Sequence, residues 1–127
     1  MHSVGVDVIE IDRVRKVLTR HGLRFLTRVY TEPERMYCRN RISELAVRFA
    51  GKEAVMKALG TGIRGVGWRE IEILPDRRGK PHVVLYDRAK DRAEDLGLTE
   101  FAISLSHAHA YAVAFVVASN HGDGISP

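Results

Sequence analysis

Residues 42–60 read ISELAVRFAGKEAVMKALG. Leu45, Phe49, Met56 and Leu59 recur at helical spacing, which predicts a long helix from about Ile42 to Leu59. Gly60 stops it, because a helix end commonly needs a left-handed residue. Lys52 projects from the middle of the apolar stripe, and Glu53 and Lys57 lie along its edge one turn apart. A salt-bridged edge with a snorkelling lysine accounts for this without any function. The alternative is that this face looks onto a polar cavity, because burying such charges unpaired is strongly unfavourable.

The same kind of conflict sits near the N-terminus. SVGVDVIEI, residues 3–11, is rich in β-branched side chains and predicts a strand, yet Asp7 stands in its middle. Period-two alternation places Asp7 on one face with Gly5 and Ile9, and Val6 and Val8 on the other. If the Asp7 face meets the long helix, Asp7 and Glu53 converge. A few carboxylates, completed by water and substrate phosphate, suit magnesium better than an all-protein calcium cage. Lysines beside them fit a phosphate-bearing substrate.

Around this pair the rest of the chain falls into place. Asp12 predicts the N-cap of a helix through RVRKVLTRH, ended by Gly22. Thr31 followed by Glu34 is a capping-box pattern for a second helix. WREIEIL and PHVVL, joined by PDRRGK, predict a hairpin; YDRAKDRAEDLG predicts a polar helix; FAISLSHA and YAVAFVVAS predict a second strand pair. In that pair large and small side chains alternate, so one face can lie close to a helix. The expected fold is α+β, a mainly antiparallel sheet packed on a long central helix. The 127 residues make one domain over 1–119, with a mobile tail expected at 120–127.

Composition narrows the setting. The chain is 45% hydrophobic and 28% charged, with a single cysteine, Cys38, which excludes an intramolecular disulfide and a cysteine-built zinc site. Acids at Asp7, Glu10 and Asp12 argue against a secretory leader, and the apolar run YAVAFVVA is too short to span a bilayer. A soluble, cytoplasmic protein with no membrane partner is expected. The net charge is +4, concentrated in Arg13, Arg15, Lys16, Arg20, Arg24 and Arg28, with no acid from residue 13 to residue 28. Such a block is either a solvated helix face or a docking surface for an acidic partner.

Two further motifs have bland readings beside functional ones. The glycines at 60, 62, 65 and 67 lack the GK[ST] of a phosphate loop and follow a helix instead of opening one. They are a helix stop and loop, or a place where backbone amides approach a ligand. His107 and His109 are two apart, but zinc lacks further ligands nearby. A substrate-contacting histidine or a satisfied turn histidine fits better.

Taken in order, GVDVIEIDR, RFAGKEAVMKALGTGI, GKP and SLSHAHAYA resemble the holo-acyl-carrier-protein synthases, the short bacterial type of 4′-phosphopantetheinyl transferase. The resemblance covers the chain to about Ala118 and is loosest over residues 14–45. It implies transfer of the 4′-phosphopantetheine arm of coenzyme A to a serine of apo acyl carrier protein, releasing adenosine 3′,5′-bisphosphate, in support of fatty acid biosynthesis. It also implies a homotrimer with active sites between subunits. Asp7 and Glu53 match the magnesium positions, where manganese is an alternative, and Lys57 matches the lysine near the reacting phosphates. Arg48, Gly60, Thr61, Gly62, Lys80, Pro81 and His107 fall where the family contacts coenzyme A. Asp7 or a water on the cation is expected to take the serine proton.

With an acidic carrier protein as partner, Arg13, Arg20 and Arg24 become the expected docking residues. Lys52 belongs to the motif without an assigned role beyond pairing with some acid. One rival is a small basic nucleic-acid-binding module, which leaves Asp7, Glu53 and Lys57 unexplained and lacks a recognition motif. A second rival is a magnesium phosphodiesterase that hydrolyses coenzyme A with no acceptor protein.

Overall fold

The valine-rich N-terminus forms strand β1, His2–Glu10, and a computed structural model describes the chain over residues 1–120. The expected tail, apart from Asn120, lies outside the described residues. Helix α1 follows directly at Ile11–His21, so it starts before Asp12, and Asp12 sits in its first turn. The expected Asp12 cap is corrected accordingly: its carboxylate takes ion pairs from Arg15 at 3.0 Å and Lys16 at 3.1 Å instead. Gly22 closes α1 at φ 53° and also opens α2, Leu23–Val29, a seven-residue helix that the sequence did not announce. Burial of Phe25 and Val29 holds it in place.

Helix α3, Glu32–Cys38, begins with the expected capping box, Thr31 and Glu34 bonding reciprocally. Then comes α4, Ile42–Leu59, with Gly60 in the left-handed conformation at its end. Its apolar surface is not a stripe. Residues are buried nearly all round, from Leu45 and Ala46 to Ala58 and Leu59, which marks it as a central helix enclosed by other elements. A short helix α5, Gly62–Gly65, and a 3-10 turn, Trp68–Glu70, lead to the hairpin of β2, Ile71–Pro75, and β3, Pro81–Leu85. Helix α6, Asp87–Leu96, then β4, Glu100–Ala108, and β5, Tyr111–Ser119, complete the chain.

The main sheet is antiparallel in the order β1-β5-β4, and β2-β3 forms a separate pair, as an α+β fold requires. Asp7 lies opposite Ala114, which lies opposite Leu105; Ile9, Ala112 and His107 form the next such row. Alanines 112, 114 and 118 on β5 are fully buried and let α4 settle on this face. At Gly5 the approach is closest, since any Cβ there would collide with the carbonyl of Ala54. The opposite face of the sheet is open and apolar: Val4 and Val8 are each 58% exposed, Val6 49% and Phe115 46%. Among the described residues no helix is long and apolar enough to cross a membrane.

Candidate active site

The tight seat of β1 on α4 brings Asp7 to the helix. Lys57 Nζ donates to Asp7 Oδ1 at 3.1 Å and to the carbonyl of Val6 at 2.9 Å. The lysine thus reaches across to the strand, where the sequence pattern anticipated a pair with Glu53 along the helix. Glu53 is half-buried, and this burial, reinforced by the charge of Asp7, pushes its carboxyl above the usual glutamate range. Lys57 and Arg13 act the other way. Asp7, Glu53, Lys57 and Arg13 therefore share one electrostatic neighbourhood built from β1, α1 and α4.

Two carboxylates so placed offer hard oxygen donors, with Lys57 and Arg13 balancing their charge, and suit a divalent cation that keeps water and phosphate ligands. Among the described residues no group of three or more His, Cys, Asp or Glu gathers into an all-protein metal cage. His107 lies within β4 and His109 in the following turn at φ 52°, so the zinc reading is set aside.

A second cluster forms on the other side of α4. Arg48 is buried and committed: Nε donates to the carbonyl of Ile73 at 2.9 Å and Nη1 to Glu44 Oε1 at 2.7 Å. The Tyr37 ring lies over its guanidinium, 4.7 Å from the ring centre. Tyr37, Glu44 and Arg48, with Gly79, Pro81, Leu105 and His107, line a cleft of about 230 Å³. Arg48, Pro81 and His107 thus line one cleft, whereas Lys80 borders an adjoining groove with His2 and Phe101. Tyr37 and Glu44 carried no signal beyond ordinary helix residues, and their role is visible only in the packing.

Gly60, Thr61 and Gly62 continue from the C-terminal end of α4, with φ 70° at Gly60 and 64° at Gly62. Thr61 Oγ1 is buried without a hydrogen-bond partner, which leaves its hydroxyl available. Arg92 Nε caps the helix at the Leu59 carbonyl, 2.9 Å away, and its Nη2 stands beside Gly60. Nothing in the polar pattern of α6 singled Arg92 out.

Arg48 and Lys57 are nine residues apart on α4. At about 100° and 1.5 Å per residue they project from opposite sides, roughly 13–14 Å apart along the axis. One cluster lies at the β1 edge of the sheet and the other at the β4 edge. A single chain does not bring them to one point.

The basic block is divided between α1 and α2. Arg15 and Lys16 are tied to Asp12, whereas Arg13, Arg20 and Arg24 are exposed. Val17 and Phe25 floor a groove of about 450 Å³ rimmed by His21, Arg24 and Arg28. Cys38 is fully buried, and burial pushes its thiol up to about 11, which leaves it no role as a nucleophile.

The sequence pattern described as the 4′-phosphopantetheinyl transferase superfamily matches residues 3–116. The chain belongs to that superfamily. Over 124 residues the transferase is 48% identical to the holo-[acyl-carrier-protein] synthase of Herpetosiphon aurantiacus, covering 92% of this chain and 98% of that protein. Among solved structures it resembles the holo-[acyl-carrier-protein] synthase of Helicobacter pylori in complex with coenzyme A, with TM-score 0.84 and 31% identity over 91% of this chain and 99% of that one. The Neisseria meningitidis holo-[acyl-carrier-protein] synthase is similar too, with TM-score 0.86 and 34% identity over 93% and 98% of the two chains. The α+β fold expected from the sequence is the fold of these structures.

Proposed function

We propose that this transferase moves the 4′-phosphopantetheine group from coenzyme A to a serine of apo acyl carrier protein, releasing adenosine 3′,5′-bisphosphate, in support of fatty acid biosynthesis. The observation that carries the reading is the gathering of Asp7, Glu53 and Lys57 at the contact of β1 with α4, in a chain so similar to holo-acyl-carrier-protein synthases.

The serine oxygen attacks the phosphorus that bears the pantetheine arm, and the bond to the bridging oxygen of the pyrophosphate breaks. Adenosine 3′,5′-bisphosphate leaves with that charge, and the serine proton passes to a base. Lys57, already donating at this spot, steadies the departing phosphate. Asp7 is placed to accept the proton once Lys57 turns from it to the substrate. Magnesium fits the donors present, with Asp7 and Glu53 as its protein ligands, and manganese prefers the same oxygen set. When bound, such a cation offsets negative charge on the pyrophosphate oxygens.

Arg48, Pro81 and His107 receive the nucleotide end of coenzyme A, with Lys80 beside them. In the turn of Gly60, Thr61 and Gly62 the first two amides already donate to the Lys57 and Met56 carbonyls, so that turn meets the substrate through the Thr61 hydroxyl and the Gly62 backbone. Because the two clusters face opposite ways from α4, a complete site takes one from each of two copies. The open valine and Phe115 face of the sheet is what those copies cover, and closing it gives a homotrimer with active sites between subunits. The carrier protein docks on α1 and α2 through Arg13, Arg20 and Arg24, its acidic side over the basic rim and an apolar side chain on Val17 and Phe25. Coenzyme A as substrate and a reduced, buried Cys38 fit the cytoplasm.

The test is the intact mass of a bacterial apo acyl carrier protein after incubation with the transferase, coenzyme A and magnesium. One added phosphopantetheine, absent with excess chelator, supports the reading. Loss of coenzyme A with no gain in carrier mass would favour the phosphodiesterase. Retention of random duplex at physiological salt, with neither reaction, would favour the nucleic-acid module.

A further inference from the structure

Lys52 is the one charge of the long-helix motif that the reaction does not use. Its ammonium is fully buried, and so is the carboxylate of Glu34, 2.7 Å away. The other two ammonium protons go to the carbonyls of Trp68 at 3.0 Å and Ile71 at 2.5 Å. Glu34 in turn accepts from the amides of Thr31 at 2.9 Å and Ile73 at 2.8 Å. A network this complete has no unsatisfied donor on Lys52.

Stability alone is a poor reason for such a pair. A buried ion pair replaced by well-matched neutral groups often leaves stability unchanged or improved. The connections of this one are informative. On one side it holds Trp68 and Ile71, where the glycine-rich segment returns to the sheet, while Gly60 fixes the start of that segment to the same helix. On the other side it holds Ile73 by its amide, and the Ile73 carbonyl is the acceptor for Arg48 Nε. The backbone of β2 therefore passes the position of the pair directly to Arg48.

We infer that Lys52 and Glu34 are positioning residues that, through β2, set Arg48 and the return of the glycine-rich segment in the geometry that binds coenzyme A. The inference rests on the proposed assignment of the Arg48 cleft to the nucleotide end of that substrate. A neutral pair of similar size at these positions keeps the packing but releases the tie, and coenzyme A binding loosens while carrier docking on α1 and α2 does not.

The experiment compares the Lys52→Met/Glu34→Gln double variant, Arg48→Ala and the triple variant, each checked for cooperative thermal unfolding. The double variant should raise KM for coenzyme A roughly tenfold, within the range that small misplacements cost, and leave KM for the carrier protein within about twofold. The triple variant should be no worse than Arg48→Ala alone, because the pair acts through Arg48. A folded double variant with unaltered KM, or effects that simply multiply in the triple variant, would overturn the inference. If the double variant does not fold, Lys52→Gln/Glu34→Gln, which also removes both charges but leaves polar groups for the buried backbone partners, is read by the same two criteria. Arg48→Ala with unaltered KM would show instead that the cleft itself is misassigned, and the positioning role would fall with it.

Discussion

Lys57 of α4 and Asp7 of β1 are joined by a 3.1 Å ion pair across 50 residues of sequence. The pair stands where the seat of the strand on the helix is closest, and Glu53 lies one turn back. Lys57 is more than half exposed, so this ion pair adds little to stability. Its value lies in holding an ammonium and a carboxylate at one point before any substrate arrives.

Lys57→Ala should therefore lower kcat by about 10²–10³-fold, the usual consequence of losing a donor aimed at developing charge. Melting temperature should hardly move. Steady-state kinetics beside a thermal melt separate the two, and a variant with full kcat would remove Lys57 from the chemistry.

Glu53 opposes the fold when it is ionised. Its pKa is raised, so its contribution to stability is present below the unfolded pKa and is lost as pH rises through the folded one. Without divalent cation, Glu53→Gln should raise the melting temperature at neutral pH, and the gain should vanish in acid. Adding magnesium should stabilise the unaltered protein more than the variant. Melts across pH, with and without the cation, check both signs.

Gly5→Val tests the contact that carries Asp7 to the helix. A side chain at Gly5 collides with the Ala54 backbone, so β1 must lift away. The expected loss is about 1–3 kcal/mol, as for other overpacked positions, with activity falling further than stability because Asp7 moves as well. Denaturant unfolding and turnover on the same preparation provide the comparison.

Arg24→Glu should raise KM for the carrier protein severalfold and leave KM for coenzyme A unchanged. The charge effect should fade at high salt, because exposed charges are screened there. An unaltered carrier KM would remove α2 from the docking surface.

Much of this architecture could be read from local pattern. Asp7 in a valine strand and Glu53 beside Lys57 on a helix were local conflicts, and the packing of β1 on α4 resolves them together. Thr31 and Glu34 announced a helix start correctly. That same Glu34 also pairs with Lys52, 18 residues away, and pairing at that distance leaves no periodic trace in the sequence. Helix α2 escaped because it is only seven residues long, lacks a side-chain cap and draws its stability from tertiary burial of Phe25 and Val29. Asp12 misled because a cap residue and a first-turn acid look alike; Glu10 takes the cap position here, and Asp12 is held by two cations. Tyr37 and Arg92 stayed hidden for a related reason: each works through a neighbour reached only in the folded chain.

The central claim is that two edges of this fold, on two copies, make one active site. Co-expression of Glu53→Ala and Arg48→Ala chains, each nearly inactive alone, tests it most directly. Random assembly places an intact Arg48 cleft against an intact Glu53 cluster at about a quarter of interfaces, so the mixed oligomer should recover roughly a quarter of the unaltered rate. A mixed oligomer no more active than its parents would show that each site lies within one chain, and would contradict the account.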